Sequence, residues 1–145
     1  MTQTVIKGLL AAFIILGTLQ ARADEKPELT LQTAPHLSTQ VRDGQLIARG
    51  QISSQAPHLG YRVRLDALKS GDAPDQYLIT GKQNSQNRLR VRIGQDGWVP
   101  DAEEGNGITR QTGEVQAGFD IVAQGNQTVP ADEYQIKVWG AYLAP

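Results

Sequence analysis

Tyr134-Gln135-Ile136-Lys137-Val138-Trp139-Gly140-Ala141-Tyr142 is the stretch on which the fold turns, and three residues follow it. Tyr134, Ile136 and Val138 share one parity, and Gln135, Lys137 and Trp139 the other. That is the two-residue period of a half-buried strand. A sheet closed within one chain would turn here and add a further strand. Two options are left: this strand is an edge with exposed backbone groups, or a partner chain supplies its missing neighbour.

Similar runs recur upstream. Glu28 to Gln32 sets Leu29 and Leu31 on one side, and Leu46 to Ser54 sets Leu46, Ala48, Gly50 and Ile52 against Ile47, Arg49 and Gln51. Tyr61 to Leu68 alternates Tyr61, Val63, Leu65 and Ala67 with Arg62, Arg64 and Asp66. Gln76 to Gly81 is a short β-prone run. Arg88 to Ile93 places Leu89, Val91 and Ile93 inward and its three arginines outward, and Val115 to Ala123 alternates through Phe119 and Ile121. Turn residues separate the runs: Asp43-Gly44, Ser70-Gly71-Asp72, Asn84, Asp96-Gly97, Asn106-Gly107, Gly125-Asn126 and Pro130. No sustained helical period is present. About seven short strands argue for an all-β, immunoglobulin-like β-sandwich, with a small barrel as the runner-up. Residues 94–113 read as one long, glycine-rich, acidic loop, a length often associated with function.

The first 23 residues read as an export leader. Lys7 precedes the apolar run Gly8 to Leu19, and Ala21-Arg22-Ala23 is a small-x-small site that predicts cleavage after Ala23. The run falls short of the ~20 apolar residues that span a bilayer. On this reading the leader is an address label without a structural part, and residues 24–145 form one domain. Losing Lys7 and Arg22 leaves 12 basic side chains against 15 acidic ones, a net charge near −3. That gives no basis for phosphate-backbone binding, so nucleic acid is not an expected partner. The chain has no cysteine, which excludes thiol chemistry and thiolate metal sites.

Little else carries chemistry. His36 and His58 each follow a proline, stand apart from any metal-spaced pair, and read as exposed loop residues. Asp101, Glu103, Glu104 and Asn106 could supply oxygens to calcium, but the EF-hand order is absent and a solvated loop is the better reading. Arg42-Asp43-Gly44 reverses the integrin-binding tripeptide and reads as a tight turn. Arg62, Arg64, Arg88, Arg90 and Arg92 would form a basic stripe if their strands shared a sheet; solubilising an exposed face is the simpler role. Trp98, after a turn, and Trp139, on the outward parity, are candidate surface anchors, or could equally cover the end of the sandwich. No nucleophile elbow, zinc-protease or P-loop pattern occurs, so neither an enzyme nor a cofactor is expected.

Several marks together give a resemblance: Glu28-Leu29-x-Leu31, Arg42-Asp43-Gly44 with Gly50 and Ile52, Leu89-Arg90-Val91-Arg92 with Gly97-Trp98, Phe119-Asp120, Gly125-Asn126-Gln127 and Glu133-Tyr134. In order and spacing the chain resembles the AfaD/DraD-type invasin subunits of bacterial afimbrial and fimbrial adhesins, built by the chaperone–usher route. Better-known members carry two cysteines where Ser54 and Tyr142 stand here, so this chain lacks that staple.

The resemblance implies an incomplete sandwich whose missing final strand comes from a neighbouring fimbrial subunit, after a periplasmic chaperone and an outer-membrane usher have handled it. Leu29, Leu31, Tyr134, Ile136, Val138 and Tyr142 would line the acceptor groove. Arg62, Arg64, Arg88, Arg90, Arg92 and Trp98 are candidate receptor contacts. The implied role is a tip-type adhesin or invasin at the cell surface that binds a host receptor, an integrin for some members. The alternative is a capping subunit without a receptor; a small exported enzyme or ligand-binding domain ranks below both. After leader cleavage only Asp24, Glu25, Lys26 and Pro27 precede the Glu28 strand, a reach of ~13 Å with no apolar alternation. The subunit is therefore expected to accept a strand and to offer none.

Overall fold

Alternating apolar residues and glycine-marked turns drive the chain into strands throughout. The computed structural model describes residues 2–9, 12–16, 26–34, 38–94 and 96–145, the first two segments by their backbone course. In chain order the strands are β1 (Thr2–Leu9), β2 (Ala12–Leu16), β3 (Glu28–Thr33), β4 (Gln40–Val41) and β5 (Leu46–Ser53). Then come β6 (Gly60–Leu65), β7 (Leu68–Lys69), β8 (Gln76–Thr80), β9 (Arg88–Gly94) and β10 (Val99–Pro100). The last are β11 (Ile108–Gln111), β12 (Gln116–Ala123), β13 (Gln127–Thr128) and β14 (Glu133–Leu143). Among the described residues there is no helix.

Two antiparallel sheets face each other, ordered β10-β11-β6-β14-β1-β2 and β3-β5-β12-β9-β8-β7, with β4 and β13 paired at one end. Their inner faces supply a single core that includes Leu29, Ile52, Tyr61, Val63, Leu89, Phe119, Ile121, Tyr134, Ile136 and Val138. The result is an immunoglobulin-like β-sandwich. Gly140 of β14 packs tightly against β3 and β5. A Cβ there would lie 2.8 Å from Ile52 Cδ1 and 2.9 Å from Leu29 Cδ1. Gly50 has a similar role within the second sheet: it pairs with Phe119, and a Cβ on it would fall 2.2 Å from the ring.

Four expectations need correction. The alternation read through Leu46–Ser54 put Ile47 outward, yet Ile47 is fully buried. The register explains it: Val122 pairs with Leu46 and Ile121 with Ala48, so Ile47 is the extra residue of a β-bulge. Residues 94–113 are not one free loop, since β10 and β11 extend the first sheet beyond β6. Ile108, buried, anchors that extension.

The third concerns only residues 2–16, read above as having no structural part. In the full-length chain residues 2–9 and 12–16 form β1 and β2, and β1 pairs antiparallel with β14 from Thr2↔Gly140 to Leu9↔Glu133. The fourth follows from it: β14 is not an edge, because it has β6 on one side and β1 on the other. Backbone groups of a strand seek partners, and the leader's apolar, β-branched run supplies one here. The Ala21–Ala23 site, His36, and Asp24 and Glu25 lie outside the described residues.

Candidate strand-acceptor site and the outer face of the sheet

β14 receives its inner partner over a gap between the two sheets. β1 hydrogen-bonds to β14 and runs beside β3, with Cα atoms within 8 Å, without joining the β3 sheet. Leu29 and Leu31 of β3 and Tyr134, Ile136 and Val138 of β14 are all buried on these two flanks. The structure thus brings together five of the six residues read as groove lining. Tyr142 differs: it pairs only with Tyr61, beyond the reach of β1, and is half-buried beside His58. Gly140 occupies the position at the end of the β1 register instead. A glycine on the buried parity of a strand is itself a signal of close approach, and it could have been read.

The start of β14 is fixed by a residue that the sequence did not flag. Asp132, buried, accepts the backbone N–H groups of Gln83 at 3.0 Å, Asn84 at 3.1 Å and Glu133 at 2.6 Å. It also accepts the Asn87 side-chain amide at 3.0 Å. Burial works against its charge, but these donors outweigh burial and hold its carboxyl below the usual 3.8. Gly81 makes room for it: a Cβ there would lie 2.1 Å from the Asp132 carboxylate. Tyr134 donates its hydroxyl to the Pro130 carbonyl, and desolvation pushes that phenol up to about 12.

The arginines do not form one stripe. Arg62 and Arg64 lie on β6 in the first sheet, whereas Arg88, Arg90 and Arg92 lie on β9 in the second. Arg92 Nη1 is committed to Asp43 at 2.8 Å, Gln124 Oε1 at 2.8 Å and the Ala123 carbonyl at 3.1 Å. Arg90 reaches the Gln124 and Asn126 carbonyls. These two therefore tie turns together. Arg88 is exposed. Asp43 also accepts the Gly125 N–H at 2.8 Å, and Gly44 follows with φ +81°, so Arg42-Asp43-Gly44 is the tight turn expected. The Gly125 N–H and then Arg92 hold the Asp43 carboxyl below its usual value.

Trp98 is no surface anchor. It is 8 % exposed, donates Nε1–H to the Gly118 carbonyl at 2.6 Å and meets Phe119 edge-on at 6.1 Å. The loop from 96 onward folds back over the sheet and carries it inward. His58 is likewise buried, not exposed: Nδ1 lies 2.7 Å from the Ala56 carbonyl, Nε2 2.7 Å from that of Glu114, and the ring stacks near Tyr61. The acidic loop serves the fold. Asp101, buried, meets Arg62 Nε at 2.9 Å as a charge pair outside hydrogen-bond alignment. Glu104 lies 3.4 Å from Arg62 Nη1, and Asn106 accepts the Tyr77 hydroxyl. Burial pushes the Tyr77 phenol up to about 12.

A two-sheet antiparallel sandwich whose last strand, β14, lies between β6 and β1 fits one class, the immunoglobulin-like subunits of adhesive fimbriae. The comparisons with known proteins agree. The profile of the Enterobacteria AfaD invasin protein family matches residues 37–140, and the chain belongs to that family. It is 36 % identical to Protein AfaD of Escherichia coli over 132 residues, covering 90 % of this chain and 89 % of that one. Among solved structures it is similar to the Salmonella SafD adhesin, with a TM-score of 0.79, 34 % identity, and coverage of 83 % and 86 %. It is also similar to HdaB, the minor tip subunit of the E. coli Hda pilus, with a TM-score of 0.78, 30 % identity, and coverage of 83 % and 85 %. The two solved structures are an adhesin and a pilus minor tip subunit.

Proposed function

We propose that this protein is a tip-type adhesin or invasin subunit that completes its fold with a strand from a neighbouring subunit and attaches its bacterium to host cells. One observation carries the reading: the neighbour of β14 over Glu133–Gly140 is drawn from residues 2–9. Cleavage after Ala23 removes those residues. The exported chain then holds β14 with an unpaired side, and Leu29 and Leu31 uncovered on the far flank. An extended segment added there gains main-chain hydrogen bonds from β14 and apolar contacts from both flanks. A periplasmic chaperone would fill the site first and an outer-membrane usher would direct the exchange. The four residues left ahead of β3 are too few to serve as a donor strand, which supports a terminal place in the fibre. The host receptor suggested by the family resemblance is an integrin.

The test uses residues 24–145 completed with the neighbouring subunit's strand and coated on beads. Beads should attach to, and enter, cultured cells more than uncoated ones. If they do not, while fibres still assemble, the protein is a structural cap.

A further inference from the structure

A second group of residues comes together on the outer face of the β6–β14 pair. Trp139 and Arg64 are directly opposed across these strands, and the Arg64 guanidinium carbon lies 5.3 Å from the centre of the indole. Arg62, two residues back, is neutralised by Asp101 and Glu104. Among the described residues Arg64 has no carboxylate partner. An arginine that stacks on an aromatic ring keeps its hydrogen-bonding edge free, and that fork matches a carboxylate in a two-point contact. Beside it lies a cleft of about 200 Å³, lined by Arg62, Arg64, Glu104, Trp139, Gly140 and Ala141. Ala141 adds little bulk to its floor.

The lining carries both signs, and their separation matters. Arg64 and Arg62 are alternate residues on one strand, about 7 Å apart. Glu104 stays on the Arg62 side and is half exposed. A ligand that fits has a carboxylate for Arg64 and, a few ångströms away, hydroxyl groups to donate to Glu104. It also has an apolar face for the indole. An acidic side chain of a peptide offers the carboxylate but no hydroxyls; a neutral sugar offers hydroxyls but no carboxylate.

We infer that this cleft binds a sugar carrying a carboxylate, a sialic or uronic acid unit of a host-surface glycan. The inference deepens the adhesin reading by naming a ligand class, and it rests on that reading only for its biological setting. Its test is direct binding to isolated sugars, so it can fail while beads still attach to cells, and the reverse.

The chain holds two tryptophans, which makes the assay self-controlled. In the isotope-labelled full chain the Trp139 indole N–H reports the cleft, and the Trp98 N–H, bonded to Gly118, reports the fold. Sialyllactose or methyl glucuronide should shift the Trp139 signal, saturating in the millimolar range usual for one small contact surface, and leave Trp98 in place. Lactose should shift neither. Arg64→Gln should weaken binding at least tenfold, and Arg88→Gln, on the other sheet, should not change it. Three results would overturn the inference: no Trp139 shift with either acidic sugar, an equal shift in Arg64→Gln with Trp98 unmoved, or a shift by a glutamate-rich peptide that the sugars do not match.

Discussion

Deleting residues 1–23 removes the strand that covers β14, and the loss can be sized from the residues it flanks. Leu29, Leu31, Ile136 and Val138 are each at most 4 % exposed. Full burial of such a side chain stabilises by about 1.5–3 kcal/mol. β1 lies on one flank of each, so uncovering about half of these four surfaces removes ~3–6 kcal/mol. The backbone groups of β14 that faced β1 turn to water and contribute little further, since water replaces the lost bonds. Small domains have only about 5–15 kcal/mol in total. With no disulfide to hold its ends, residues 24–145 alone should therefore sit close to the edge of stability. Urea denaturation followed by tryptophan fluorescence measures this, comparing the full chain, residues 24–145, and residues 24–145 with a peptide of residues 2–9 in excess. The truncated chain should unfold at markedly lower urea, and the peptide should recover part of the loss. A midpoint and a hydrogen-exchange protection over Glu133–Gly140 that are the same with and without the leader would refute the acceptor argument.

Two further outcomes follow from close contacts and charge. Gly50→Ala should destabilise by about 1–3 kcal/mol, because its Cβ overlaps the Phe119 ring. Phe119→Leu in the same chain should relieve part of that cost, and a double-mutant cycle in urea should show coupling of ~1 kcal/mol; strict additivity would disprove the contact. Asp132 and Asp43 have carboxyls held below the usual 3.8 by hydrogen-bond donors. A depressed folded value means that their contribution is complete above the unfolded value and disappears as pH falls through the folded one. Thermal melts should thus weaken steeply below about pH 4, and Asp132→Asn should flatten that fall; an unchanged acid limb would remove Asp132 as its source.

The parts of this molecule that were legible in sequence are those governed by strand parity. Tyr134, Ile136 and Val138 read inward and are buried, and Trp139 reads outward and lies on the outer face. The rest depends on two-body information that parity does not hold. Ile47 is buried because β5 carries one residue more than its partner, which only the register reveals. The five arginines share an outward parity, yet β6 and β9 belong to different sheets. Trp98 follows a turn, and its position alone leaves open whether it points out or in; the direction of that turn, where Gly97 has φ +91°, brings it onto Phe119. Asp132 had no local signal, because its donors come from residues 83–87 and from its own neighbour Glu133.

One strand, β14, carries both proposed roles, and its period of two keeps them apart. Tyr134, Ile136, Val138 and Gly140 face the sandwich, while Gln135, Lys137, Trp139 and Ala141 have the opposite parity. A slip of one residue would exchange the two sets and ruin both faces at once. Gly140 resists such a slip: any larger residue brought to its place would press on Leu29 and Ile52. The register that seats Gly140 between the sheets is the same one that sets Trp139 opposite Arg64. Packing inside thereby fixes the geometry outside without contact between them. Residues such as Trp139 and Lys137 can then change with little effect on the inner face. The converse does not hold, since a change at Ile136 or Gly140 disturbs the strand that both faces share.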